Sequence, residues 1–425
     1  MIPAAWRRAA AGIVLSACGA LVWFAARTTP SPPAGADARI EWYRARLGGP
    51  GTYPAYARLG AAYLEKAQES GREEFFFEAE TNLRESLVRQ PNFEALHWLS
   101  TALLAQHRFA EALATARQAA DTMPGSVESH ALIFDSHLAL GEIEAAAGAA
   151  ERLMNMLPGF AAWTRQAALE EARGNLPAAG PGLTRACAAA AWEQRGAATL
   201  AWCDVRQGSL TLDRCDPAGA EQFYQSALRR QPGYFLAREH LAELRAAQGR
   251  TGDAAQLYDA LIPETRNPLH LLARAQLNEF AGRAADAAHD REAAIAALRK
   301  SAAGTSRAAW RPLALALLES ESTRAEAQSW AEKDFENRRD FGAYVVLADA
   351  LLRNARRQEA AAKLAQGLHK GNGDTELTLR AARVLLELGE NEQARKILAP
   401  ALTCSRALSP AARRLAEVLA SALKP

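Results

Sequence analysis

From about residue 53 onward, apolar positions recur at helical spacing in runs of a dozen or more residues, broken by short polar or glycine-bearing stretches. "VESHALIFDSHLALG", residues 127–141, shows the form. Val127, Ala131, Phe134 and Leu138 share one helical face, and Gly141 follows the run. A second helical run, "EIEAAAGAAERLMNMLP", comes next and stops at Pro158. The pattern predicts two helices folded back on each other across a short turn.

The pair repeats. Pro91, Pro124 and Pro158 punctuate it at intervals of 33 and 34 residues. Gly141, Gly249, Gly282 and Gly389 end first helices, where glycine tolerates the left-handed conformation that closes a helix. Five residues after each comes a small residue, Ala146, Ala254, Ala287 or Ala394, where the second helix must approach the first closely. Proline then stops the second helix. A single pair cannot bury its apolar face alone, so neighbouring pairs must stack into a rod.

"PNFEALHWLSTALLAQHRFAEALATARQAADTMPGS" and "YFLAREHLAELRAAQGRTGDAAQLYDALIP" carry the same spacing. These positions resemble the tetratricopeptide repeat, and the array is similar to a group of exported bacterial proteins built from it. The resemblance covers residues 53–403 in nine or ten units. Two units, the first and the one holding Cys215, carry extra residues between their helices, and 300–340 match only by helix pattern and small residues. The resemblance implies an all-α solenoid of tetratricopeptide type, a superhelix of helix-turn-helix repeats preceded by an N-terminal apolar helix. Residues 404–425 are expected to finish the array. Ser409 can cap a helix that begins at Pro410 and lays Leu415, Val418, Leu419 and Leu423 on the last repeat, with Arg413 and Arg414 facing water.

The first 27 residues read differently. Residues 9–26 are eighteen uncharged positions between Arg8 and Arg27, the lower limit for a helix crossing a bilayer. Residues 28–52 then read as a Pro-rich linker. The arginines at the start predict a cytoplasmic N-terminus, which places the repeats on the periplasmic side of a bacterial membrane. "LSAC" at 15–18 resembles the bacterial lipobox, which would make Cys18 a lipidation site, and Ala34-Gly35-Ala36 offers a conventional cleavage site. Uncleaved anchor, lipoprotein and secreted protein thus stand as alternatives, and each exports the repeats.

Charge changes the list of partners. The chain holds 50 basic and 48 acidic residues, a formal +2. Six arginines among the first fifty residues, against Asp37 and Glu41, put +4 there, which leaves −2 for the rest. No basic field remains to hold phosphate backbones, so nucleic acid is not expected as a partner. Five cysteines form no CxxC pair. Cys187, Cys203 and Cys215 lie close enough in sequence for one pair to bridge, or to stay as buried thiols. No metalloprotease, nucleophile-elbow, phosphate-loop or haem-attachment motif is present, which points away from an enzyme and from any cofactor. His130 and His137 sit seven apart on one helix face but fall at core positions of the repeat, so they read as packed rings, not metal ligands.

What remains is surface. First helices line the concave wall of such a superhelix, and these walls bind peptides or partner helices. The polar first-helix residues Glu94, His97, Thr101, Glu128, Asp135, Glu239 and Glu243 are the candidates for partner contact. The lysine and asparagine carboxylate clamp of chaperone-binding relatives is absent at these positions. Phe75, Phe76 and Phe77 cannot all face one core from a helix, so either residues 40–56 cover them or they anchor a partner. The expected function is a non-catalytic interaction scaffold or assembly factor of the cell envelope. The alternative is a structural subunit that self-associates through the solenoid ends or convex face.

Overall fold

The computed structural model describes residues 31–49, 52–370, 374–403 and 408–423. Among them there are twenty-two α-helices and no strand. Helix α1, Ala36–Arg44, precedes ten hairpins. The first five are α2 Tyr53–Ser70 with α3 Glu74–Arg89, α4 Phe93–Ala105 with α5 Phe109–Thr122, α6 Val127–Leu140 with α7 Ile143–Met156, α8 Phe160–Ala172 with α9 Leu176–Trp192, and α10 Ala197–Asp213 with α11 Pro217–Arg230. The second five are α12 Phe235–Ala247 with α13 Thr251–Thr265, α14 Pro268–Phe280 with α15 Ala284–Ala302, α16 Trp310–Leu317 with α17 Arg324–Asn337, α18 Phe341–Arg353 with α19 Arg357–Gly367, and α20 Thr375–Leu388 with α21 Asn391–Thr403. Helix α22, Pro410–Ala422, ends the array, with Ser409 accepting from the Ala412 N–H at its start.

The repeat rules hold in three dimensions. Gly141, Gly249, Gly282 and Gly389 all have positive φ, between 75° and 89°. Ala146, Ala254, Ala287 and Ala394 are buried to 2% exposure or less, at the closest approach of paired helices. The extra residues of two units do not form loops. They lengthen α2 to 18 residues and α10 to 17, and Cys215 takes the left-handed turn with φ of 68°. The described residues include no helix long and apolar enough to cross a membrane. Residues 9–26, with Cys18, lie outside the described residues.

The expected linker at 28–52 contains α1, whose Ile40 and Tyr43 pack into the core of the first hairpin. Its prolines, at 30, 32, 33 and 50, flank the helix and do not interrupt it. The cap also departs from expectation. Leu419 and Leu423 pack on α20 and α21, but Val418 is 60% exposed. Arg413 does not face water; its Nη2 donates to the Ala247 carbonyl at 2.6 Å.

That last bond is one of a series. The superhelix is wound so tightly that its second turn rests on its first. The Arg307 N–H donates to the Gln106 carbonyl at 2.8 Å and the Arg339 N–H to the Leu140 carbonyl at 2.9 Å. The Asn337 amide donates to the His107 carbonyl at 2.9 Å, and Ser301 to Glu73 at 3.1 Å. In each case the turn inside an early hairpin meets the junction between two later hairpins. Behind this seam Arg311 bridges Asp334 at 2.8 Å and Asp340 at 2.5 Å, and Arg338 holds Asp334 at 2.8 Å.

Candidate functional site

Winding the coil this tightly brings α14, α16, α20 and α22 around one interior bowl of about 690 Å³. Each of these helices turns one stripe to the core and a second to the cavity. On α14 the second stripe is Leu269, Leu272 and Gln276; on α16 it is Pro312 and Leu315, with Glu319 just past the helix end. Helix α20 contributes Glu376, Leu379, Arg380 and Arg383, and α22 contributes Ala411, Leu415 and Val418 at i, i+4 and i+7. Leu269, Phe280 and Val418 are 39%, 45% and 60% exposed, so large apolar side chains stand unpaired on opposite walls.

The arginines of the bowl are fixed from behind. Asp349 on α18 is 1% exposed and accepts from Arg380 and Arg383 at 2.5 Å each and from Arg353 at 3.1 Å. Burial alone would raise the Asp349 carboxyl, but the three guanidiniums overcome it and hold the group below the ordinary carboxylate range. Arg383 keeps a buried Nε without a hydrogen bond, with Glu387 3.8 Å away. Arg291 pairs with Glu279 at 2.7 Å, and Arg414 lies over the Phe280 ring, 5.8 Å from its centroid.

The wall at the start of α20 has the opposite character. Glu376 accepts from the Ser409 hydroxyl at 2.9 Å. Surrounding protein pushes its carboxyl above the ordinary value, the Ser409 bond opposes this, and Asp374 and Glu243 add to the rise. The bowl thus offers an apolar floor between an arginine side and an acidic side.

The residues singled out from sequence are scattered. Glu243 reaches the acidic side of the bowl through its effect on Glu376, and it holds His240 at 2.9 Å. Glu239 lies 3.4 Å from the buried His270. The others belong to the first turn. Glu94 pairs with Arg58 at 3.6 Å, and Asp135 makes a two-pronged pair with Arg165 at 3.0 and 2.5 Å. Thr101 bonds back to the His97 carbonyl at 3.3 Å, and Glu128 is exposed. His97 stacks on Phe93 and meets the edge of Trp98; burial pushes its ring below the ordinary value, against the pull of Glu128. Phe75 and Phe76 pack into the first hairpin, with Phe75 stacked on Tyr63 at 6.2 Å, and Phe77 is half-buried. All three rings are half-buried, Phe75 and Phe76 against the core of the first hairpin.

His130 bonds the Pro124 carbonyl at 3.1 Å and His137 bonds Glu142 at 2.5 Å, both as packed rings. Among the described residues no three His, Cys, Asp or Glu side chains are grouped to hold a metal. Cys187 and Cys203 are buried free thiols. The bowl residues Leu269, Phe280, Arg380 and Arg383 carry no site reading in the sequence, and Val418 reads there only as part of the cap. For Leu269 and Phe280 the one signal is a second apolar stripe on a first helix, which has no meaning until the coil closes.

Residues 212–277 and 351–419 match the family model described as tetratricopeptide repeat. No curated protein matches the chain. Among solved structures, a thermophilic TPR protein of Thermus thermophilus is 18% identical, with a TM-score of 0.38, covering 44% of this chain and 95% of that one. Yeast Tom70 is 12% identical, with a TM-score of 0.39 over 91% and 92% of the two chains. Human IFIT1, solved as a dimer with m7Gppp-AAAA, is 15% identical, with a TM-score of 0.49 over 78% and 76%.

Proposed function

Taking the chain as a tetratricopeptide-repeat protein, we propose that it is a non-catalytic interaction scaffold whose receptor is the bowl between α14, α16, α20 and α22. The occupant is a segment of a partner protein that carries large apolar side chains next to a carboxylate. The observation that carries this reading is the exposure of Leu269, Phe280 and Val418 into one cavity beside arginines immobilised on Asp349. Exposed apolar groups supply binding free energy on burial, and a preformed arginine pair adds direction without a reorganisation cost. The first-turn residues Glu94, His97, Thr101, Glu128 and Asp135 then serve as solvated or internally paired surface.

The uncharged run at 9–26 and the arginines around it support placement of the scaffold at a bacterial cytoplasmic membrane with its repeats on the outer side. The mixed charge of the bowl favours a protein occupant over a nucleic acid. A displayed peptide library selected on the full chain tests the reading. It is expected to converge on apolar residues beside Asp or Glu, with binding lost in Phe280→Asp and weakened in Arg380→Ala. Selection of no sequence, or of RNA oligonucleotides in a parallel selection with peptides failing, would refute it.

A further inference from the structure

In hairpins one to three the left-handed residue of the inner turn meets the next turn of the superhelix. Gly71 faces the Phe235 ring, the His107 carbonyl accepts from Asn337, and Gly141 faces the Arg339 backbone. In hairpin five the left-handed residue is Cys215, with φ of 68°, between α10 and α11. Its sulfur lies 3.6 Å from the carbonyl oxygen of Thr403, the last residue of α21. Unlike Cys187 and Cys203, which are buried, Cys215 is exposed.

Cys215 is engaged in a disulfide, whereas Cys187 and Cys203 are free thiols. Of the five cysteines, Cys18 and Cys404 remain as its partner, and both lie outside the described residues. Thr403 decides between them. Cys404 follows it directly, and one peptide link spans only about 3 Å from a carbonyl oxygen to the next Cα. Chain connectivity thus carries Cys404 beside the Cys215 sulfur, although the two cysteines are 189 residues apart in sequence. Around this point α21 and α22 are also tied by polar contacts: Arg413 to the Ala247 carbonyl of the first turn at 2.6 Å, and Arg395 to the Leu423 carbonyl at 2.8 Å.

We propose that Cys215 is bonded to Cys404, and that this disulfide is a redox latch fastening the junction of α21 and α22 to the first turn. The bond forms by exchange with glutathione disulfide or the disulfide of an oxidoreductase. One cysteine thiolate attacks that disulfide and expels a thiolate; the second attacks the mixed disulfide and expels the other. The two cysteines give up two protons and two electrons, and the incoming disulfide leaves as two thiols. Closing so long a loop constrains the open chain strongly, and exposure leaves the bond within reach of a reductant. Such a bond persists outside the reducing cytoplasm, in keeping with the placement proposed above. Because α22 is one wall of the bowl, the latch also sets the width of that cavity; this consequence alone rests on the receptor reading.

The full chain in mild detergent, equilibrated with glutathione disulfide, alkylated and digested without reductant, tests the pairing by mass spectrometry. A linked pair of peptides carrying Cys215 and Cys404 is expected, lighter by two hydrogens than its reduced parts and lost on treatment with dithiothreitol. Alkylated Cys215 and Cys404, or a link from Cys215 to Cys18, Cys187 or Cys203, would overturn it. Hydrogen exchange tests the latch. Amides of α22 should exchange at least about tenfold faster in the reduced chain and in Cys215→Ser, while those of α6 keep their rate. The reduced wild-type chain keeps this test valid if the variant fails to fold, and α22 exchange that ignores reduction would overturn the latch. A peptide selected on the oxidised chain should bind at least about tenfold more weakly after reduction. Faster α22 exchange with unchanged peptide binding would uphold the latch and overturn the receptor reading instead.

Discussion

Replacing Gly141 by alanine isolates the seam between turns. Gly141 closes α6 with φ of 77°, and an ideal Cβ there would lie 2.6 Å from the Asp340 nitrogen and closer still to the Arg339 carbonyl. Both neighbours are backbone, so neither can rotate away. The turns must part by about 1 Å to reach ordinary van der Waals separation. That movement stretches the Arg339 N–H bond to Leu140, 2.9 Å, and strains the adjoining Asn337 bond to His107, also 2.9 Å. Two such bonds are worth about 2 kcal/mol net. Gly389→Ala is the control, because Gly389 has φ of 89° but open space at its Cβ. It suffers only the left-handed backbone term of about 1–2 kcal/mol, which Gly141→Ala shares. Residue-resolved hydrogen exchange reads the difference. Local opening at the Arg339 amide should become about thirtyfold more frequent in Gly141→Ala, by the conversion of about 1.4 kcal/mol per tenfold, and should not change in Gly389→Ala. Equal exchange at Arg339 in the two variants would refute the reasoning.

Other consequences are as direct. Asp349→Ala leaves Arg353, Arg380 and Arg383 without their buried anion, and thermal unfolding should show a loss of about 3 kcal/mol; Glu319→Ala, which removes the exposed partner 3.6 Å from Arg380, should cost under about 0.5 kcal/mol. His107 is held down to about 3, first by burial and then by the charges of Arg338 and Arg311. An unfolded imidazole takes its proton near pH 6.5, so between about pH 6.5 and pH 3 the unfolded state binds more protons and stability falls as pH falls. Denaturation at pH 5 against pH 7.5 should show a loss of about 2 kcal/mol that shrinks in His107→Gln. Cys187 and Cys203, buried as free thiols, should react with a thiol reagent only after unfolding, and rapid labelling of both in the native chain would contradict their placement.

The hairpins were legible because they obey local rules. A glycine at a helix end and an alanine five residues later can be read from spacing, and both recur where expected, as at Gly249 and Ala254. Helix α1 was harder to see, because Pro30, Pro32, Pro33 and Pro50 gave the whole stretch the composition of a linker while "ARIEWYR" inside it is amphipathic. The bowl was not legible at all. Its walls come from residues more than 140 positions apart, Leu269 on α14 and Val418 on α22, and only the pitch of the superhelix brings them together. Pitch is the sum of small rotations between neighbouring hairpins, and no single repeat encodes it. For the same reason Val418 and Arg413 looked like the dry and wet faces of a simple cap. Arg413 instead meets Ala247 of the previous turn, and Val418 faces the cavity.

The receptor reading is tested most directly by finding where a selected peptide lands. A peptide chosen on the full chain, carrying a photoreactive group beside its apolar residues, can be cross-linked and the products mapped by mass spectrometry. The account predicts cross-links to α14, α16, α20 and α22, centred on Leu269, Phe280 and Val418. Cross-links concentrated instead on the first turn, around Glu94 and Glu128, would contradict it.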